Sequence, residues 1–139
     1  MKQMISQRMT LLLITLIIAG AGCTDDPSNQ DLGDDRDAFL GSWVVTENCA
    51  KDTYVITITK DPTNSAQVIL NNFWHITNCS NPPYALIAGS QIVMPEQEIC
   101  SNAFQVSGSG NLSKGKITMT YEVNDGADLF QCSAVMEHQ

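Results

Sequence analysis

Lys116-Ile117-Thr118-Met119-Thr120-Tyr121-Glu122-Val123 leads through Asn124-Asp125-Gly126-Ala127-Asp128 into Leu129-Phe130-Gln131-Cys132-Ser133-Ala134-Val135-Met136. This stretch decides the fold class. Ile117, Met119, Tyr121 and Val123 alternate with Thr118, Thr120 and Glu122. A period of two puts the apolar set on one face of a strand and the Thr-rich set on the other, the pattern of an antiparallel sheet with one wet face. Asn-Asp-Gly supplies turn chemistry, so the two segments read as a β-hairpin.

The same pattern extends outward along the chain. Strand-like runs rich in β-branched and aromatic residues occupy Ser42–Asn48, Thr53–Lys60, Ala66–Phe73, Tyr84–Ala88, Gln91–Met94 and Ala103–Gly110. Between them stand Asp61-Pro62-Thr63-Asn64-Ser65, Asn81-Pro82-Pro83, Gly89-Ser90 and Ser113-Lys114-Gly115. Tyr54, Ile56 and Ile58 share one face, and Val55, Thr57 and Thr59 the other. Before the first strand, Asp34, Asp35 or Asp37 can cap a short turn through Phe39 that Gly41 ends. Eight short strands in sequence, with no crossover helix, predict an all-β fold: an up-and-down antiparallel barrel, with a flattened sandwich as the alternative.

The N-terminus is of another kind. Lys2 and Arg8 precede an apolar run, Leu11 to Ile18, and then Ala19-Gly20-Ala21-Gly22 and Cys23. The run is too short to span a bilayer and has the layout of a secretory signal peptide. Small residues followed at once by cysteine resemble a bacterial lipobox, with Gly20 where Leu is usual. The resemblance implies that Cys23 is acylated and becomes the mature N-terminus. Residues 24–37 hold six Asp and, of apolar residues, only Leu32, and read as an extended acidic tether. Thr24-Asp25-Asp26 resembles the acidic signal that exports such lipoproteins to the cell surface. The expected organisation is residues 1–22 as leader, 23–37 as lipidated cysteine and tether, and 38–139 as the barrel domain.

The chain has 139 residues, 7 Lys+Arg and 15 Asp+Glu, a net of −8. All 15 acids lie beyond residue 22 with five of the bases, so the expected mature chain carries −10. Such a surface has no footprint for a phosphate backbone, and nucleic acid is not an expected partner. Nor does charge draw it to an anionic membrane; the lipid would have to hold it there.

Phe39-Leu40-Gly41-Ser42-Trp43 resembles the Gly-x-Trp opening of lipocalin-like barrels. With Ile56-Thr57-Ile58, Val68 to Trp74, Gly108-Ser109-Gly110 and Lys116 to Tyr121, the chain is similar to small lipocalin-like lipoproteins of the Bacteroidota type. The resemblance implies a barrel floored by Trp43 and an outer-membrane, surface-exposed address. It implies no ligand and no activity.

Five cysteines become four if Cys23 carries lipid. In an oxidising compartment Cys49, Cys79, Cys100 and Cys132 form two disulfides, and three pairings are open. Cys49 ends the first strand and Cys132 sits in the last, and those strands meet only if the barrel closes. Topology therefore favours Cys49–Cys132 as a seam and Cys79–Cys100 as a loop tie. There is no Cys-x-x-Cys, and the spacings are not those of a metal finger.

Catalytic patterns are scarce. Of the two histidines, His138 is penultimate and expected to fray, and no Gly-x-Ser-x-Gly elbow occurs. Glu96 and Glu98 share one side of the Pro95–Ile99 segment but read as solvated edge charges beside a loop. Asn124 to Asp128 lacks the ligand spacing of a calcium loop. Enzyme activity, metal and cofactor are therefore not expected. Phe73 and Trp74, adjacent in a predicted strand, should point to opposite faces. Trp74, with His75, Asn78 and the Pro82-Pro83-Tyr84 segment, is the candidate aromatic binding patch at one rim; packing beneath the loop is the plainer reading. The expected function is binding of a macromolecule, protein or glycan, with carriage of a small apolar ligand as the alternative.

Overall fold

The alternation in the decisive hairpin becomes the inside and outside of a barrel wall. The computed structural model describes residues 33–49 and 52–139. Its strands are β1 (Gly41–Glu47), β2 (Tyr54–Lys60), β3 (Gln67–Asn71), β4 (Tyr84–Ala88), β5 (Gln91–Ile99), β6 (Phe104–Ser113), β7 (Lys116–Asn124) and β8 (Leu129–His138). They form a closed antiparallel barrel in chain order, in which β8 returns to pair with β1 from Trp43↔His138 to Glu47↔Ala134. The expected barrel is found, not the sandwich. The leader, Cys23 and the tether as far as Leu32 lie outside the described residues.

Inward positions are apolar and tightly packed. Ile56, Ile58, Leu70, Ile92, Ile117 and Met119 are at most 1% exposed, as are Met94 and Met136. A barrel of eight strands is just wide enough for such side chains to fill it. Outward positions on β7 and β8, including Thr118, Thr120, Glu122, Gln131 and Ser133, are exposed.

One end of the barrel is floored by a 3-10 turn, Asp35–Phe39. Phe39 and Trp43 are fully buried, and the Trp43 indole N–H donates to the Phe39 carbonyl at 2.8 Å. Asp34 caps the turn by accepting from the Arg36 backbone N–H. The Arg36 guanidinium is buried over the floor. It donates to both Asp34 carboxylate oxygens and to the carbonyls of Asn64 and Gln67 at 3.0 and 3.2 Å. Lys60 also meets Asp34 and Asp37. The Arg36 side chain first, and Lys60 next, hold the Asp34 carboxyl well below the usual carboxylate range. The sequence reading gave residues 34–37 to the tether. The structure folds them onto the barrel, because one arginine among the aspartates finds two carbonyls to bind.

Four strand ends differ from expectation by two residues or more, the simplest being β6, which runs on from Gly110 to Ser113. β3 stops at Asn71, and Asn72 takes a left-handed backbone (φ 63°) that opens a 3-10 turn, Phe73–His75. Phe73 and Trp74 are thus turn residues and do not alternate across a strand. β5 continues past Pro95 to Ile99 through a register shift between Met94 and Gln97, the kind of bulge that accommodates proline in a sheet. β8 runs on to His138, whose ring lies 3.9 Å from that of Trp43, so His138 is held in the ladder rather than frayed.

Candidate functional site

Strand direction sorts the connections between the two ends. The floored end carries the β2–β3, β4–β5 and β6–β7 turns. The other end carries the four remaining connections: 48–53, 72–83, 100–103 and 125–128. The longest connection, 72–83, is therefore on this rim.

Both disulfides serve this rim. Cys49 is joined to Cys132, with Cα atoms 5.5 Å apart, and Cys79 to Cys100, with Cα atoms 4.4 Å apart. The first bridges the β1–β8 seam. Beside it, Asn48 accepts from the Ser133 backbone N–H at 2.6 Å and donates its own backbone N–H to the Ser133 carbonyl at 3.2 Å. The second ties loop 72–83 to loop 100–103. Asn81 reinforces it, accepting from Ser101 N–H at 2.7 Å and donating to the Glu98 carbonyl at 3.1 Å. Cys100, Ser101 and Asn102 are all left-handed, with φ between 54° and 64°. Such backbone costs free energy for residues other than glycine and needs surrounding structure to hold it. Nothing in the sequence announced that turn.

Trp74, His75 and Asn78 sit on loop 72–83, and Tyr84 opens β4 at the same rim. They do not form a single aromatic surface. The half-buried Trp74 ring packs on Phe104 (5.5 Å, edge-on) and Phe130 (5.3 Å). Phe73 drops into the barrel mouth, 3% exposed, against Tyr121 at 4.9 Å. Trp74 is thus part of the lid packing, the plainer of the two sequence readings. His75 is exposed and stacks flat on Tyr54 at 5.3 Å. Tyr84 lies half-buried on the outer wall beside Ile69, and its backbone N–H and carbonyl are both bonded by the Gln97 side chain. Asn78 is exposed.

Tyr54 is buried, and its hydroxyl donates to Glu47 at 2.9 Å. Burial first, and the Glu47 charge next, push this phenol far above its ordinary value, so it stays a donor. Glu47 and Gln97 were not singled out from sequence; a lone acid and a lone amide at strand ends give no periodic signal.

The residues weighed for catalysis are dispersed. Glu96 and Glu98 are exposed on β5, and Glu96 accepts from Gln105 at 3.1 Å. In the β7–β8 turn, Asp125 accepts from the backbone N–H groups of Ala127 and Asp128, and Asn124 from that of Gly126. Those bonds lower the Asp125 carboxyl and use its oxygen within the turn. No group of three or more His, Cys, Asp and Glu side chains that could hold a metal occurs among the described residues.

Concave surface exists at the rim and, on a larger scale, on the outer wall. At the rim, a depression of about 230 Å³ is lined by Glu98, Asn102, Phe104, Gln105 and Asp125, among others. Two depressions of about 560 and 410 Å³ lie over β5–β8. Comparison with protein-family models, with curated proteins and with solved structures finds no match.

Proposed function

We propose that this chain is a non-catalytic lipoprotein, held to the outer membrane through acylated Cys23 and displayed at the cell surface. Its lipocalin-like barrel binds a macromolecular partner, protein or glycan, through the loop-bearing rim. The observation that carries the reading is the division of labour between the two ends. The chain from the tether enters at the floored end, and the irregular loops, tied by Cys79–Cys100, lie at the opposite end. Loops fixed on a rigid scaffold are where binding residues concentrate.

Trp74 is the wrong residue to probe this, because its ring is part of the lid packing. Asn78 is exposed and separates binding from folding; His75 is exposed but stacks on buried Tyr54. Intact cells should bind partner through the displayed domain. The double variant His75→Ala/Asn78→Ala should weaken that binding about tenfold or more while the domain stays folded, and Asn78→Ala alone should leave the unfolding midpoint in place. Binding unaffected by both changes would sink the rim as the site. Release of the Cys23→Ala protein from the membrane fraction is expected in parallel; continued membrane retention would sink the anchor.

A further inference from the structure

The two disulfides sit in different surroundings. Cys132 lies in the barrel wall, 3% exposed and paired with Tyr121 on β7, so one end of the seam bridge is closed to solvent. Cys79 and Cys100 are both half-buried, and both stand on loops. Their neighbours Asn78, Ser80, Ser101 and Asn102 are exposed. A small thiol therefore approaches the second bridge without disturbing a strand.

Backbone strain gathers on the same two loops. Among the described residues, seven other than glycine are left-handed, and six of them lie on the segments that Cys79–Cys100 joins. Asn72, Trp74 and His75 are on loop 72–83; Cys100, Ser101 and Asn102 are on the β5–β6 connection. A Cβ disfavours this conformation. A hairpin connection of four residues, such as 100–103, is ordinarily built around a type I turn, whose central residues are right-handed. This turn is therefore held from outside, by residues 79–81. Ser101 N–H donates to the Asn81 side chain at 2.7 Å, Cys100 N–H to the Asn81 carbonyl at 3.3 Å, and the Ser80 and Ser101 hydroxyls meet at 2.9 Å. The side-chain bonds are exposed, and water competes for each of them. The disulfide is the one tie that water cannot replace.

Exposure and strain both make a disulfide easier to reduce. We propose that Cys79–Cys100 is a thiol–disulfide exchange site, a latch that a dithiol opens while the barrel stays folded. One thiolate of the dithiol attacks one of the two sulfurs, breaking the protein S–S bond and forming a mixed disulfide. The second thiolate attacks the dithiol's own sulfur in that mixed disulfide and releases the remaining cysteine. The dithiol leaves as its disulfide, and two electrons and two protons end on Cys79 and Cys100. Cys79 Sγ already lies 3.3 Å from the Asn81 carbonyl oxygen, so the new thiol has an acceptor at hand. The 100–103 turn then relaxes toward right-handed backbone, and loop 72–83 loses its covalent tie. Exchange with an oxidised dithiol runs the same steps backward and closes the latch. The latch would govern the rim to which partner binding is assigned above, but it is read from the chain alone and its test needs no partner.

The test equilibrates the protein, both disulfides formed, with mixtures of reduced and oxidised dithiothreitol. Alkylation and peptide masses follow each cysteine, and backbone hydrogen exchange follows the loops. Cys79–Cys100 should open at a reduced-to-oxidised ratio about tenfold or more below the one that opens Cys49–Cys132. Amides of residues 76–83 and 100–103 should then exchange about tenfold faster or more, with those of β1, β7 and β8 unchanged. Ser101→Gly should raise the ratio needed about threefold, because glycine takes left-handed backbone at no steric cost. Both bridges opening at one ratio, with loss of the strands, overturns the latch. So does loop exchange that is unchanged once Cys79–Cys100 is open, or a Ser101→Gly protein that opens at the native ratio or below it.

Discussion

Replacing Cys49 and Cys132 together by alanine lowers the unfolding free energy by about 4–5 kcal/mol. The bridge spans a sequence separation of 83, and on the chain-entropy account the stabilisation grows with the loop that is closed. Its position adds to the effect. β1 and β8 are the first and last strands, and their pairing is the most non-local in the barrel. Without the bridge, that seam must be closed entirely by the chain's own search. A domain this size has only about 5–15 kcal/mol in total, so the reduced form sits near the edge of folding. Alanine is the right replacement, because Cys132 is 3% exposed and serine would bury a hydroxyl there. Denaturant unfolding of the oxidised protein and the double variant measures the difference. The slope should be compared too, since part of the effect acts on the unfolded chain. Removing Cys79–Cys100, with a separation of 21, should cost about 3 kcal/mol. The reverse ranking would show that the seam is held by something other than its disulfide.

Trp43→Ala carries the second large effect, a loss of about 3–5 kcal/mol. The ring is fully buried on the barrel floor, between Phe39 and the His138 ring. Truncation removes its apolar surface from the core and leaves a cavity that the floor cannot collapse to fill, because Arg36 fixes the 3-10 turn to the β2–β3 connection. It also strips the Phe39 carbonyl of its indole donor. Trp43→Phe separates these contributions. It restores most of the volume but not the N–H, and should cost about 1–3 kcal/mol, the scale of one buried acceptor left unsatisfied. Thermal unfolding of both variants checks the order. Equal losses would mean that the hydrogen bond, not packing, holds the floor.

The barrel was legible because its walls obey a simple rule. In β2 and β7 every second residue is apolar, and those residues are the ones the structure buries. The seam disulfide followed from the same rule, since closure alone brings Cys49 to Cys132. Legibility failed where the chain leaves the period of two. Arg36 looked like one base in an acidic leash; its burial depends on carbonyls of Asn64 and Gln67 some 30 positions away, which no local pattern encodes. Trp74 looked like an outward strand residue. Left-handed backbone at Asn72, Trp74 and His75 turned it onto Phe104 and Phe130 instead. The rim could be named from sequence, then, but the contacts of its side chains could not. Likewise the Thr-rich wet face was visible, but the alignment of Ser109, Thr120 and Ser133 across three strands needed the register.

A barrel filled by its own side chains and acting through its outer surface makes one direct demand. Native mass spectrometry of the protein, purified from an oxidising compartment, should show the mature polypeptide with its Cys23 lipid, both disulfides and no other retained molecule. A stoichiometric apolar molecule released only on unfolding would contradict that account and make the interior the functional site.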